Sequence, residues 1–322
     1  MQENQEPRIL DVLEAKKTLS KYLPRTPLYF NARLSSLLEA QVYVKYENFL
    51  PTSAFKVRGG INLIAGLPAG EMERGVITAS TGNHAQSIAY ASKLFGVKST
   101  IVMPEKANPL KVQATRDLGA KVILHGKDFD EAREHVEEIV SREHLRYVHS
   151  ANEPLLISGV GTLTLEVFED LPEVDFILAP VGGGSMASGA CIVSKALSPK
   201  TKIIGVQSKN APAAYLSWKS KTLVSDKMET FAEGLATRVG FSLTQSILQK
   251  HLEEFVLVSD DEIREAMRLM IDYTHTLAEA AGASPLAGAL KAKGELKGKN
   301  VVLVLSGGNV SLSQLREITN KE

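Results

Sequence analysis

Short apolar runs rich in β-branched residues alternate with longer amphipathic segments along almost the whole chain. The apolar runs predict β-strands near residues 42–47, 76–79, 100–103, 121–124, 176–179, 202–206 and 301–305. The amphipathic segments predict helices near residues 83–95, 108–118, 128–144, 184–197, 211–219 and 311–319. Because buried strands that alternate with helices form parallel sheets covered on both faces, this pattern predicts an α/β protein.

Residues typical of helix N-termini predict two further helix starts, but no sequence feature marks a domain boundary. Pro154 stands at the start of a helical run, and Ser259 followed by Glu262 predicts a capping box. No Pro- or Ser-rich linker divides the chain. Domains that share crossings of the chain are therefore favoured over two consecutive domains.

Polar motifs follow four of the predicted strands, where parallel sheets bind their ligands. The first motif is Ser53-Ala54-Phe55-Lys56-Val57-Arg58-Gly59-Gly60, which places Lys56 at a strand-to-helix junction. A lone lysine is usually solvated surface, so the meaning of Lys56 depends on what the other loops bring to it.

Three consecutive glycines, Gly182, Gly183 and Gly184, lie between a predicted strand and a predicted helix, followed by Ser185 and Met186. Such a loop lets successive N–H groups converge on an anion at a helix N-terminus, which favours a phosphate site over a plain turn. The spacing Gly182-x-Gly184-x-x-Ala187 also fits a dinucleotide fingerprint, so a nicotinamide dehydrogenase is an alternative. That fingerprint expects an acidic residue after the next strand, where this chain has Gln207.

Polar side chains crowd around Gly82 at another strand end, in the loop Ser80-Thr81-Gly82-Asn83-His84-Ala85-Gln86. Hydroxyl and N–H groups at a helix start suit a carboxylate. Taken singly, Ser80 or Thr81 is as well explained by helix capping, and His84 by a solvated helix position. The cluster as a unit indicates a binding loop.

Two further polar residues stand in apolar company. Ser306 opens the loop Ser306-Gly307-Gly308-Asn309 after the last apolar strand. Glu279 lies among small residues, where burial raises a carboxyl pKa, although a surface helix position explains it almost as well.

Composition excludes several classes of protein. The 322 residues contain 37 Lys and Arg and 37 Asp and Glu, so no net charge favours nucleic acid or an anionic membrane. Cys191, the only cysteine, sits in an apolar run and is interpreted as a buried hydrophobe. The polar start at residues 1–6 lacks the pattern of a signal peptide, and we expect a cytoplasmic protein.

These motifs occur in the order found in fold-type II pyridoxal-phosphate enzymes, which this chain resembles over essentially its whole length. The closest resemblance is to threonine/serine ammonia-lyases (dehydratases), with serine racemase as a near relative. It implies an α/β, tryptophan synthase β-like fold with the cofactor in a cleft. The large domain would comprise residues 1–74 and 150–322, and the small domain residues 75–149.

The resemblance implies a role for each site residue. Lys56 forms the Schiff base with pyridoxal phosphate and Phe55 flanks the ring, while Asn83 binds the ring hydroxyl. Ser306 faces the pyridine nitrogen, which makes the ring a milder electron sink than a carboxylate would and suits elimination. The phosphate is held by Gly182, Gly183, Gly184, Ser185 and Met186. Glu279 is placed with the cofactor-binding residues, and the substrate is held by Ser80, Thr81, Gly82 and His84.

Departures from the family pattern refine the expected chemistry. Thr81 replaces the serine that carries the second proton in serine racemases, which disfavours efficient racemisation. Gln207 and Ala213 stand where those relatives bind a divalent cation through carboxylates, so we expect no metal there. His84 and Ala85 differ from the cysteine-synthase pattern, which disfavours β-replacement.

The expected reaction is β-elimination from L-threonine or L-serine, giving a 2-oxo acid and ammonia. The expected catalytic residues are Lys56, as general base, and Ser80 and Thr81. Alternatives that use the same site are serine racemisation and elimination from 3-hydroxyaspartate, and a catalytically inert ligand-binding homologue is a further one. The resemblance implies a homodimer or homotetramer. Since the chain ends soon after the last motif, we expect no regulatory domain of the kind found in some threonine deaminases.

Overall fold

The computed structural model describes residues 5–127 and 129–320. Residues 1–6 were interpreted above as lacking a signal peptide, and the first four of them lie outside the described part. Its strands are β1 (Leu28–Phe30), β2 (Gln41–Tyr46), β3 (Val76–Ala79), β4 (Ser99–Met103), β5 (Lys121–Leu124), β6 (Arg146–Tyr147), β7 (Phe176–Pro180), β8 (Lys202–Ser208), β9 (Glu254–Val258) and β10 (Asn300–Leu305).

The first helices are α1 (Ile9–Leu19), α2 (Ala32–Leu38), α3 (Lys56–Ala65), α4 (Ala69–Arg74), α5 (Asn83–Phe95), α6 (Pro109–Asp117), α7 (Phe129–Glu143) and α8 (Pro154–Asp170). They are followed by α9 (Ser185–Leu197), α10 (Ala213–Ser220), α11 (Ser242–His251), α12 (Asp260–Thr274), α13 (Ala280–Lys291), α14 (Lys293–Leu296) and α15 (Leu312–Thr319).

The larger sheet has the order β1-β2-β10-β7-β8-β9, in which every pair is parallel except the antiparallel β1–β2 edge. Alternate residues of β10 enter different cores. Leu303 and Leu305 pack on one face with α12 and α13, and Val302 and Val304 on the other with α8 and α9. The predicted parallel sheet with both faces covered is therefore confirmed.

The smaller sheet has the order β5-β4-β3-β6 and is parallel throughout. Val76 and Ile101 belong to the core on the side of α5, while Ile77 and Val102 pack against α7. All four strands lie between residues 76 and 147. The two sheets turn the carboxyl ends of β3, β7 and β10 toward a shared cleft, which the loops after these strands line.

The sequence pattern located most elements within one or two residues, and the capping box at Ser259 is present. It missed the strands β1, β6 and β9 and the helices α1, α2, α4, α11, α13 and α14. β1 is short and exposed, and β6 has only two residues. The predicted helix start at residue 128 lies outside the described residues, and α7 is described from Phe129. Cys191 is buried, and burial raises its thiol pKa far above the usual range, in agreement with its reading as a core residue.

A buried cluster of four charges anchors the start of α3, the helix that begins at Lys56. Arg58 is 1% exposed, and its Nε donates to Glu47 Oε2 at 2.7 Å. Another guanidinium nitrogen donates to Glu166 Oε1 at 2.7 Å, and Lys45 Nζ donates to Glu166 Oε2 at 2.6 Å. Burial alone would raise the pKa of Glu166, but these two cations lower it to about 2. The cluster thereby ties α3 to β2 and α8.

No helix within the described residues is both long enough and apolar enough to cross a lipid bilayer.

Candidate active site

The cleft between the two sheets has a volume of about 860 Å³, and all the residues singled out from the sequence line it. These residues are Phe55, Lys56, Ser80, Thr81, Gly82, Asn83, His84, Gly182, Gly183, Gly184, Ser185, Met186, Glu279 and Ser306. They come from loops far apart in sequence. Most of these groups follow the carboxyl end of β2, β3, β7 or β10, and the parallel topology brings these strand ends together. Glu279 is the exception, since it lies in the connection between α12 and α13.

Lys56 reaches the cleft from the first turn of α3. Its Nζ donates to the carbonyl oxygen of Ser150 at 3.2 Å and to Ser185 Oγ at 3.3 Å. It also lies 5.3 Å from the centre of the Phe55 ring. Because burial disfavours the charged form of the amine, its pKa falls to about 8. A substantial fraction of this amine is neutral near physiological pH, as a nucleophile or base requires.

The glycine loop is shaped by close backbone contacts. A side chain on Gly182 would place its Cβ 2.2 Å from the carbonyl oxygen of Gly234. Gly184 has a φ of +89°, in the left-handed region that favours glycine. Ser185 then opens α9, so the N–H groups of this turn lie at the N-terminus of a 13-residue helix. This arrangement binds anions without any cationic side chain.

Asn83 lies in a short chain of amides and a carboxyl group. Its Nδ2 donates to Glu279 Oε1 at 2.7 Å, and its Oδ1 accepts from Asn309 Nδ2 at 2.8 Å. Glu279 precedes α13 rather than lying on a helix surface, so the surface-helix interpretation was wrong. Burial raises its pKa to about 7, although the Asn83 bond acts against this rise.

The loop after β3 combines capping with a buried imidazole. Ser80 Oγ accepts N–H bonds from Gly82 at 3.3 Å and from Ala85 at 3.2 Å. His84 is buried, and its Nε2 lies 3.2 Å from Thr78 Oγ1, so the interpretation of His84 as a solvated helix residue was wrong. Burial, reinforced by Lys56 and His149, lowers its pKa to about 3.

Ser306 and Phe55 connect the lysine segment to β10. The Phe55 N–H donates to the Ser306 carbonyl at 2.9 Å, and the Ser306 side chain is 2% exposed on the cleft wall. A buried hydroxyl at this wall is a neutral hydrogen-bond partner, which cannot hold a facing ring nitrogen in its protonated form.

Sequence reasoning missed several residues of the cleft. His149 and Ser150 follow β6, which is too short to show an apolar pattern, and Phe241 closes the glycine-loop side from a loop before α11. Asn309 was recognised only as part of a turn. No local signal marks His149 and Ser150, because their positions depend on strand pairing across 70 residues between β3 and β6.

At position 207, where we expect no metal site, the side chain is the amide of Gln207. Gln207 Oε1 accepts the N–H of Tyr215, and Ala213 begins α10. Within residues 5–127 and 129–320, no three His, Cys, Asp or Glu side chains converge in a way that would hold a metal ion. The absence of a divalent metal stays a prediction.

The donor set fits pyridoxal phosphate. The glycine loop offers an uncharged phosphate cradle in which Gly182 packs too closely on the Gly234 carbonyl to carry a Cβ, and Lys56 offers an amine of lowered pKa 3.3 Å from the start of α9. Together, the fold and these groups define an α/β enzyme built to hold a phosphorylated aldehyde in a cleft.

Comparison with known proteins identifies the family. The profile described as "Pyridoxal-phosphate dependent enzyme" matches residues 19–307, and the chain belongs to this family. This finding overturns the dinucleotide-binding alternative for the glycine loop.

Several relatives resemble the chain over nearly its full length. It is 40% identical to an L-threonine ammonia-lyase of Thermotoga maritima over 97% of this chain and 78% of that protein. Threonine deaminase isoform 2 of Solanum lycopersicum superposes with a TM-score of 0.92 at 32% identity, covering 98% and 95% of the two chains. The serine racemase of Dictyostelium discoideum gives 0.90 at 34% identity, covering 95% and 99%.

Proposed function

We propose that this protein is a pyridoxal-phosphate dependent ammonia-lyase that acts on L-threonine or L-serine. The observation that carries the proposal is the position of the Lys56 amine, 3.3 Å from the serine that opens α9 after the glycine loop. Relatives that match 95% or more of the chain at 38–40% identity are named as threonine ammonia-lyase or threonine dehydratase.

In this proposal the cofactor is held by residues from both sides of the cleft. Lys56 would hold it covalently, Phe55 would flank its ring, and Asn83, Glu279 and Ser306 would bind the ring. The phosphate is held by Gly182, Gly183, Gly184, Ser185 and Met186. When bound, pyridoxal phosphate withdraws electrons from the Cα of an amino acid.

The chain's own groups then perform the proton transfer. The substrate carboxylate binds at Ser80, Thr81, Gly82 and His84, next to the start of α5. Once the substrate amine has displaced Lys56 from the cofactor, Lys56 Nζ would be a free, neutral amine that takes the proton from Cα. The bond from Cβ to the hydroxyl breaks, and that oxygen leaves as water with one added proton, which balances the proton lost from Cα. Hydrolysis of the released enamine yields a 2-oxo acid and ammonia, so all atoms are accounted for.

The proposal includes a division of the chain into two domains. Residues 1–74 and 150–322 form the large domain around the six-stranded sheet, and residues 75–149 form the small domain. Support comes from the smaller sheet, whose strands all fall within residues 76–147. We also propose a cytoplasmic homodimer or homotetramer, which light scattering on the purified protein would test for its oligomeric state.

Lys56→Ala tests the assignment, with exposed Lys195→Ala as a matched lysine control. Wild type and Lys195→Ala should carry the visible-edge absorption band of the lysine-bound cofactor and release ammonia from threonine or serine. Lys56→Ala should lose both. If Lys56→Ala keeps the band and full activity, the assignment of Lys56 is wrong.

Serine racemisation is the second candidate, favoured by the similarity to serine racemase at 34% identity. Thr81 retains a hydroxyl on the loop where a second proton carrier would be needed. Chiral analysis of serine after incubation with the enzyme separates the two outcomes, since D-serine forms only by racemisation.

A further inference from the structure

His149, which the proposed mechanism does not use, is held in one protonation state by its own loop. Its Nδ1 accepts the N–H of Ala151 at 3.0 Å and the N–H of Asn152 at 2.9 Å. A nitrogen that accepts two N–H bonds carries no proton. The neutral ring therefore carries its proton on Nε2.

Charging this ring would break both bonds and place a cation in a positive, partly desolvated environment. Burial, together with Lys56 and Arg133, lowers the pKa of His149 to about 4. The imidazole is consequently neutral across the physiological range. It is a hydrogen-bond donor through Nε2–H but not a source of protons, because neutral imidazole is a very weak acid.

Neighbouring groups direct this donor into the cleft. The His149 ring meets the Phe241 ring edge-on, with centroids 4.9 Å apart, and the Tyr147 ring at 6.1 Å. Nδ1 faces the backbone of its own loop, so Nε2 lies on the opposite edge of a ring that lines the cavity. The next residue, Ser150, accepts the hydrogen bond from Lys56 Nζ. One loop therefore positions both the amine and the imidazole donor.

We propose that His149 Nε2–H donates a hydrogen bond to the β-oxygen of the substrate and so determines specificity for amino acids with a hydrogen-bond acceptor on Cβ. The inference rests on the proposed function, which does not say which group contacts the β-oxygen, and it assigns that contact to His149. As the bond between Cβ and oxygen breaks, negative charge grows on that oxygen. A preoriented neutral donor stabilises this charge, while the proton that completes water comes from another group.

Two substitutions of His149 test the roles of its two ring nitrogens separately. His149→Asn places an amide oxygen near the position of Nδ1, which keeps an acceptor for the loop but removes the donor at Nε2. His149→Gln places an amide nitrogen near Nε2 and so keeps a donor on the cleft side. β-Chloro-L-alanine is the discriminating substrate, since chloride leaves without needing a hydrogen-bond donor.

We expect His149→Asn to lower kcat for L-serine or L-threonine about 10- to 100-fold. Its kcat for β-chloro-L-alanine should fall by less than about threefold, and His149→Gln should recover most of the hydroxy-substrate rate. Equal losses on both substrates, or a glutamine variant no better than the asparagine variant, would overturn the proposal. If wild type acts on neither hydroxy amino acid, the proposed function fails and the role of His149 fails with it.

Nitrogen-15 NMR of the cofactor-free protein tests the tautomer without any activity. The His149 signals are assigned by their loss in His149→Asn. At neutral pH they should show a neutral ring with an unprotonated Nδ1. A protonated Nδ1 would refute the geometry on which the proposal stands, whatever the kinetics show.

Discussion

Replacing Arg58 by methionine should cost far more stability than removing any surface arginine. Arg58 makes six hydrogen bonds of 2.7–3.2 Å to Thr26, Glu47, Thr162 and Glu166. Its removal leaves Glu47 and Glu166 buried against Lys45 alone, which changes a neutral cluster into one of charge −1. Breaking a buried, fully hydrogen-bonded pair in this way costs about 3–5 kcal/mol in the free energy of unfolding.

Arg25→Met is the matched control. Arg25 pairs with Glu169 and Asp170, but about half of its side chain is exposed to water. Solvent screening limits such surface pairs, so the expected loss is below about 1 kcal/mol. Adding Glu47→Gln to Arg58→Met restores the neutrality of the cluster and should recover about 1–2 kcal/mol.

Urea unfolding of the cofactor-free protein measures these differences, with Trp218 fluorescence and circular dichroism as two probes. Trp218 is the only tryptophan in the sequence, so its signal has a single source. The reasoning is refuted if Arg58→Met and Arg25→Met lose equal free energy. It is also refuted if Glu47→Gln destabilises the protein further when Arg58 is already absent.

Two further predictions concern the cleft itself. Gly182→Ala should weaken cofactor binding about tenfold or more, because its Cβ would meet the Gly234 carbonyl. Gly294→Ala is the control: a Cβ there would have no atom within 4 Å, so the affinity should be unchanged. Absorption titration of the cofactor-free variants measures both, and equal affinities would contradict the packing argument. Glu279 has its pKa raised from 4.5 to about 7, so the folded protein keeps a proton that the unfolded chain loses between these values. The stability of the cofactor-free wild type relative to Glu279→Gln should therefore fall by up to about 3 kcal/mol as pH rises through this window, and parallel pH profiles in chemical denaturation would argue against it.

Glu279 and His84 illustrate where sequence reasoning stops. Both were assigned to the site through the resemblance, and a surface helix position stayed open as the alternative for each, yet Glu279 precedes its helix and His84 is buried beneath the loop. Burial depends on which other elements pack against a residue, and the local sequence does not contain that information. The same limit hid His149, which follows β6, a two-residue strand that pairs with β3 and has no apolar run of its own.

Arg58 shows the complementary case, in which the motif was visible and its role was not. The sequence placed Arg58 two residues after Lys56 and offered no partner for it. Its partners Glu47 and Glu166 are 11 and 108 residues away. Only the packing of α3 against β2 and α8 turns that arginine into the centre of a buried charge cluster.

Through the resemblance of its motifs to a known family, the amino-acid sequence implied the class of cofactor. By itself it determined the alternation of strands and helices and the loops that line the cleft. These properties depend on local patterns, such as apolar periodicity and three consecutive glycines before a helix. The tertiary structure alone decided which polar groups meet, as Asn83 does with Glu279 across 196 residues. It also decided how far burial lowers the pKa of Lys56, because desolvation and hydrogen bonding depend on atoms that chain order does not bring together.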